Sequence, residues 1–193
     1  MGNVAFSYAG MKKVHEFGNL YVIDENTKKY MVTIQDANET KFNMDSFKNY
    51  IPGTHGGLFE PQGGLRTSAF ELSKFLRALM NGVYNGTSLL MEETLNEMKS
   101  VHWMREEENH FFSKMGLGFH ISHDFLSDYN EMIGHAGEAY GLISNLYWNE
   151  EKKFGIIFIL NGASFSLLNN SRFDVEKELA KIIFEQTIKQ YID

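Results

Sequence analysis

Gly134-His135-Ala136-Gly137-Glu138-Ala139-Tyr140-Gly141 spans the end of one β-prone run and the start of the next. Its glycines let the backbone approach another segment closely, or bend where a side chain would clash. A histidine among them can face a ligand held against a strand edge. Outward from this stretch, the C-terminal half reads as a meander of strands at 116–122, 131–136, 142–148 and 154–161. Polar connections such as Asn149-Glu150-Glu151-Lys152 are short enough for antiparallel neighbours. Phe154-Gly155-Ile156-Ile157-Phe158-Ile159-Leu160 is almost wholly apolar, the pattern of a central strand covered on both faces. Val175, Leu179, Ile182, Ile183, Gln186 and Ile188 give the closing helix an amphipathic pattern.

Upstream, Ser68 can cap a helix, and Glu71 three residues later completes a capping box. Phe70, Leu72, Phe75, Leu76, Leu79 and Met80 recur near helical spacing, and Asn81-Gly82 stops the run. A second helix is predicted over 91–99, with Leu95 and Met98 inward; Arg105 to Asn109 form a charged, solvated turn. Residues 1–58 are the least regular. Leu20-Tyr21-Val22-Ile23 and Tyr30-Met31-Val32-Thr33-Ile34 are β-prone runs around a turn-rich stretch, which predicts a hairpin. Residues 35–57 read as loop, with Pro52-Gly53 and Gly56-Gly57 as turn marks. The fold class is therefore α+β: an antiparallel sheet at 111–193 packed against a long C-terminal helix, part of a helical lobe at 59–110, and the irregular region 1–58.

The chain has 193 residues, enough for a domain with a real core. A net charge of −7 and the lack of a Lys/Arg cluster interleaved with aromatics argue against a nucleic-acid partner. No apolar run approaches the roughly 18–20 residues of a membrane span. Met1 to Phe6 lack the basic start and apolar stretch of a secretory leader, and Met1-Gly2 with Ser7 matches myristoylation poorly. Absence of cysteine excludes disulfides, thiolate catalysis and cysteine–zinc sites, and leaves the compartment undetermined. Two prolines among many Asn, Lys, Glu and Phe residues give the composition of an AT-rich bacterial gene.

Five segments carry a resemblance. They are Ala9-Gly10-Met11-Lys12-Lys13-Val14, Pro61-Gln62-Gly63-Gly64-Leu65-Arg66-Thr67-Ser68-Ala69, Gly116-Leu117-Gly118-Phe119, Gly134-His135-Ala136-Gly137 and Ile157-Phe158-Ile159-Leu160-Asn161. In this order and spacing they resemble the C-terminal part of the serine β-lactamase-like hydrolases: class C β-lactamases, low-molecular-weight penicillin-binding proteins and related esterases. The resemblance implies acyl transfer through a serine in Ser-x-x-Lys, with a tyrosine of Tyr-x-Asn sharing the proton transfers. Neither stands where the family has it. No serine of the chain has lysine three positions on, and Tyr147-Trp148-Asn149 follows the third motif instead of preceding it. As plain strand residues, Tyr147 and Trp148 simply alternate. The expectation is a C-terminal portion of such a domain, a fragment or truncated product, inactive alone.

By the same resemblance, His135 would polarise or hydrogen-bond the substrate, and Gly137 would let substrate approach the strand. The N–H of Glu138 would point into the oxyanion hole. Ala136 would line the substrate site without the hydroxyl of Lys-Thr-Gly members, which moves the expectation from β-lactams toward esters or peptides. The bland alternative is that the strand bends at its glycines and His135 is a satisfied, half-buried histidine. No metal and no cofactor are implied. His120 and His123 would face opposite sides of a strand, which argues against a shared metal. His102 and His110 flank the charged turn and read as solvent-facing. Arg66 reads as an exposed structural arginine, and Gly63-Gly64 as a tight turn with no phosphate-loop pattern. Phe70, Phe75, Phe158 and the methionines read as core.

Two functions stand from this reading. One is the C-terminal part of a serine hydrolase acting on a small-molecule or peptide substrate at an ester, peptide or β-lactam carbonyl. The other is a non-catalytic binding or interaction module that keeps the fold without the chemistry. Apolar surface left uncovered by missing family elements would favour a homo-oligomer. Family members are often extracytoplasmic, which leaves the localisation of this chain unknown.

Overall fold

The computed structural model describes residues 4–6, 17–24, 26–34, 48–51, 63–106, 113–126, 131–162, 168 and 173–192. The chain divides into a larger unit of 73–136, 144–158 and 164–193, and a smaller one of 1–72, 137–143 and 159–163. The elements in chain order are β1 (Leu20–Ile23), β2 (Tyr30–Ile34), α1 (Ala69–Asn81), β3 (Val83–Tyr84), β4 (Thr87–Ser88), α2 (Glu92–Lys99), β5 (Trp103–Met104), β6 (Lys114–Met115), β7 (His120–Ser122), β8 (Met132–Ala139), β9 (Leu142–Asn149), β10 (Phe154–Leu160) and α3 (Asp174–Ile183). Strands β5 to β10 form one sheet in the order β10-β9-β8-β7-β6-β5, a meander in which sequence neighbours pair. The architecture is α+β. Among the described residues no helix is long and apolar enough to cross a membrane.

In the larger unit, side-chain alternation on β9 sends successive residues to opposite faces. Trp148 joins a buried cluster with Leu76 and Leu79 of α1, Leu95 of α2, Phe119 and Ile133. Phe119 meets Trp148 edge-to-face at 5.2 Å, a favourable aromatic geometry. Asn145, on the alternate face, donates to Glu176 of α3 at 2.7 Å. The sheet is thus covered by α1 and α2 on one side and by α3 on the other. The cap of α1 is made by Ser68 Oγ, which accepts the Glu71 N–H at 3.2 Å. The helix ends at Gly82, whose φ of +69° suits glycine. A Cβ on Gly155 would lie 2.5 Å from Leu76 Cδ2, so glycine lets α1 pack closely onto β10.

Several expectations are corrected. The strand foreseen over 116–122 begins only at His120. Gly116 to Phe119 form the β6–β7 turn, closed by the Gly116 N–H on the Phe119 carbonyl (2.8 Å) and by Gly118 at φ +77°. The apolar strand β10 is not central: it ends the sheet order. Its continuous hydrophobicity reports helices on both faces, since Gly155 meets Leu76 of α1 and Phe154 packs against Phe184, next after α3, at 5.5 Å. Phe70 and Phe75 are exposed, whereas Phe158 is buried; Leu76, Ala78 and Leu79 are the inward residues of α1. Met31, Met91 and Met104 are exposed too, so not every methionine is core. The inward stripe of the last helix is Glu176, Ala180 and Phe184, with Ile182 facing outward. That helix passes into a π-helical turn at Phe184–Ile188 and a 3-10 turn at Lys189–Tyr191. Asn85-Gly86, a hairpin signal passed over in the sequence, makes the two-residue turn between β3 and β4 with φ of +51° and +79°. The helical stops at 82 and 99 and the hairpin at 20–34 stand as foreseen.

In the smaller unit, β1 and β2 pair antiparallel with Ile23 opposite Tyr30. Asp24 closes their turn by accepting the N–H groups of Asn26 (3.0 Å) and Thr27 (2.7 Å). The hydrogen bond from the Thr27 backbone, helped by the Thr27 hydroxyl, holds the Asp24 carboxyl below its usual range. Tyr140-Gly141 makes the two-residue β8–β9 turn with φ of +54° and +92°. A Cβ on Gly141 would lie 2.0 Å from the Tyr21 carbonyl oxygen, and Thr33 Oγ1 donates to the Tyr140 carbonyl at 2.6 Å. Asn161 accepts the Tyr21 N–H (2.8 Å) on its carbonyl and donates from Nδ2 to the Asn19 carbonyl (3.1 Å). Arg66 pairs with Ala5 in an isolated bridge, and its guanidinium bonds the Gly64 carbonyl. The segments at 9–14, Pro52-Gly53, Gly56-Gly57, Pro61-Gln62 and His110 lie outside the described residues.

Candidate functional site on strand β8

Strand β8 holds every candidate site residue. His135 and Glu138 are exposed, and Ala136 and Gly137 are half-buried. Gly134, just before them, faces β9 closely: a Cβ there would lie 2.0 Å from the Leu146 carbonyl oxygen and 2.6 Å from Tyr147 Cα. Glycine is the residue that allows this approach, and it fixes the course of β8 next to His135.

The His135 ring is held by two contacts. Its Nδ1 lies 2.6 Å from the Ala136 carbonyl oxygen. A carbonyl only accepts, so Nδ1 carries the hydrogen and, in the neutral ring, Nε2 carries the lone pair. No described residue bonds Nε2. The ring also stacks on His120 with centroids 4.2 Å apart and planes 28° apart. His120 is itself buried, at 5% exposure, and lies opposite Gly134 in the β7–β8 register. Its Nδ1 shares a hydrogen bond of 2.9 Å with the Tyr147 hydroxyl. Tyr147 stacks on Phe125 at 4.3 Å. The buried histidine thus forms a platform for the exposed one, and its own orientation is set from the core.

Chemically, an imidazole with one nitrogen fixed and the other open can accept a hydrogen bond, donate one when protonated, or move a proton. The pair His120 and Tyr147 escaped the sequence reading, which weighed His120 only as a metal partner of His123. His123 is exposed and 3.1 Å from Lys114 Nζ, a cation. Among the described residues no three His, Asp or Glu side chains group to hold a metal. Asn149 is a turn anchor, accepting the Lys152 N–H at 2.7 Å and donating to the Glu131 carbonyl at 2.8 Å. Tyr147-Trp148-Asn149 is therefore built into core and turn. His102 is exposed beside Glu97, 3.3 Å away. Comparison with protein-family models, with characterised proteins and with solved structures returned no match.

Proposed function

We propose that β8 is the substrate-facing strand of a serine-hydrolase-type site of the β-lactamase, penicillin-binding protein and esterase kind. Its reaction is acyl transfer at an ester, peptide or β-lactam carbonyl, in a protein that also supplies a Ser-x-x-Lys helix. The observation that carries this reading is the exposed His135, with Nδ1 spent on the Ala136 carbonyl and Nε2 open. A histidine built into the core, as His120 is, would bury its ring. The α+β meander between helices and the five ordered sequence segments support the same reading. In it, His135 hydrogen-bonds the substrate, Gly137 leaves room for it, and the Glu138 N–H stabilises the developing oxyanion. Ala136 offers no hydroxyl to a carboxylate, which favours esters and peptides.

The lack of any Ser-x-x-Lys favours a second reading, a binding module without chemistry. Intact mass spectrometry after incubation with labelled penicillin, nitrocefin or p-nitrophenyl esters should show no acyl adduct on this chain. An adduct on any of its serines would sink the assignment of the nucleophile to a Ser-x-x-Lys segment. Titration with an N-acetyl dipeptide amide should shift the backbone amide resonances of 135–138, and the His135→Ala variant should lose that shift. Shifts elsewhere that ignore His135→Ala would overturn the strand as the substrate site.

A further inference from the structure

We propose that the open face of His135 is a stacking subsite that selects peptides with an aromatic side chain. The inference rests on the reading of β8 as the substrate strand and narrows its substrate class. Four rings run in a column from the core to the surface. Phe125 and Tyr147, both buried, stack with centroids 4.3 Å apart and planes 26° apart. Tyr147 and the buried His120 follow at 6.4 Å, tilted by 39° and tied through the Tyr147 hydroxyl. His135 lies on His120 at 4.2 Å and is the one ring of the four that is exposed. The β7–β8 register ends with His120 opposite Gly134, so β7 offers no partner to β8 from His135 on. The ring therefore stands where a ligand lying along β8 would pass. Among the described residues it meets no second ring, and its one hydrogen bond is at Nδ1. His120 covers one face, and the other is left for a ligand.

This ring differs from an ordinary exposed histidine in being already fixed. The Ala136 carbonyl and the His120 ring hold its orientation, so stacking on it costs little further side-chain freedom. A flat, fixed π-face rewards a flat partner: an aliphatic group gains only its buried area there, and an aromatic ring adds the stacking attraction. The second specificity lies at the ring edge. Nε2 of the neutral imidazole accepts a hydrogen bond, and so calls for an N–H on the ligand. A peptide carries both the N–H and the aromatic side chain, whereas a simple ester lacks the donor.

The test compares N-acetyl-phenylalanine amide with N-acetyl-cyclohexylalanine amide, which match in size and N–H groups and differ in planarity. Both are titrated while the amide resonances of His135 and Ala136 and the ring protons of His135 are followed. The phenyl ligand should bind about three- to tenfold tighter, the size of one stacking contact, and move the His135 ring protons upfield. His135→Phe keeps a flat ring and should keep that preference; His135→Leu should abolish it. Both variants should melt as the wild type does, because the side chain is exposed. Equal binding of the two ligands at His135 and Ala136 overturns the aromatic subsite and leaves β8 as the substrate strand. A preference that survives in His135→Leu overturns the subsite too. If neither ligand shifts these resonances, the substrate-strand reading falls and the subsite with it.

Discussion

At Gly134 one missing carbon sets the spacing of two strands. Alanine there would drive its Cβ to 2.0 Å from the backbone oxygen of Leu146, and backbone cannot rotate away as a side chain can. Gly134→Ala should cost about 2–4 kcal/mol and lower the melting temperature by roughly 5–10 °C. Because His120 lies opposite Gly134, the variant should also disturb the His120–His135 stack, read as altered ring-proton shifts of both histidines. A Gly134→Ala protein with wild-type melting and unchanged histidine spectra would contradict this packing. Asn149 poses the complementary case. Its two side-chain bonds hold the β9–β10 turn and the Glu131 carbonyl, so Asn149→Ala should cost about 1–3 kcal/mol. Calorimetry of that variant decides whether Asn149 is a structural residue; an unchanged melting curve would argue against it.

At the level of elements, β10 shows how the same apolar run can come from two arrangements. A central parallel strand is buried by helices on both faces, and so is an end strand of a meander once α1 and α3 cover it. Ile156 is buried, and Ile157 packs against the α1–α2 cluster from the alternate side. Aspartate at either position brings an unpaired charge toward a packed face. Ile156→Asp should cost several kcal/mol, about 3–5, and Ile157→Asp somewhat less because it is half-buried. Thermal melting of both variants is the check: tolerance of either within about 1 °C would mean that one face of β10 is uncovered. In α3, the inward stripe includes a carboxylate. Glu176 accepts from Asn145 Nδ2 and from its own cap N–H at Phe173 (2.9 Å), which explains how a charged residue type occupies a buried helix position. Helical periodicity alone assigned that stripe to leucine and isoleucine, because it does not register a polar partner 31 residues away.

Across the whole molecule, what was legible in the sequence is what local chemistry determines. Ser68 announces its helix through a cap bond to a residue three positions on, and the β1–β2 and β8–β9 turns announce themselves through Asp24 and Gly141. Strands of two residues, such as β5 and β6, are too short to show a period, and the place of β10 in the sheet depends on pairings that no window contains. His135 was singled out from its glycine neighbours, whereas His120, on which it stacks, lies on another strand and is brought beside it by register. The same distinction holds for Glu150, whose partners Lys99, Trp148 and Lys153 include one 51 residues away. Burial pushes its carboxyl pKa up, but hydrogen bonds from Trp148 Nε1 (2.7 Å), Lys153 and Lys99, with the Lys99 charge, outweigh it and hold the carboxyl below its usual range. A carboxylate whose folded pKa is depressed stabilises above its unfolded pKa, and that contribution disappears as pH falls through the folded value. The background titration of a chain with net charge −7 is nearly common to wild type and a Glu150→Gln variant, so their difference isolates this group. The wild type should melt a few degrees above Glu150→Gln between roughly pH 6 and 8, and the gap should shrink as pH falls below the usual glutamate range. A gap that does not change at all through acid titration would mean that the stabilisation comes from the shape of the side chain and not from its charge.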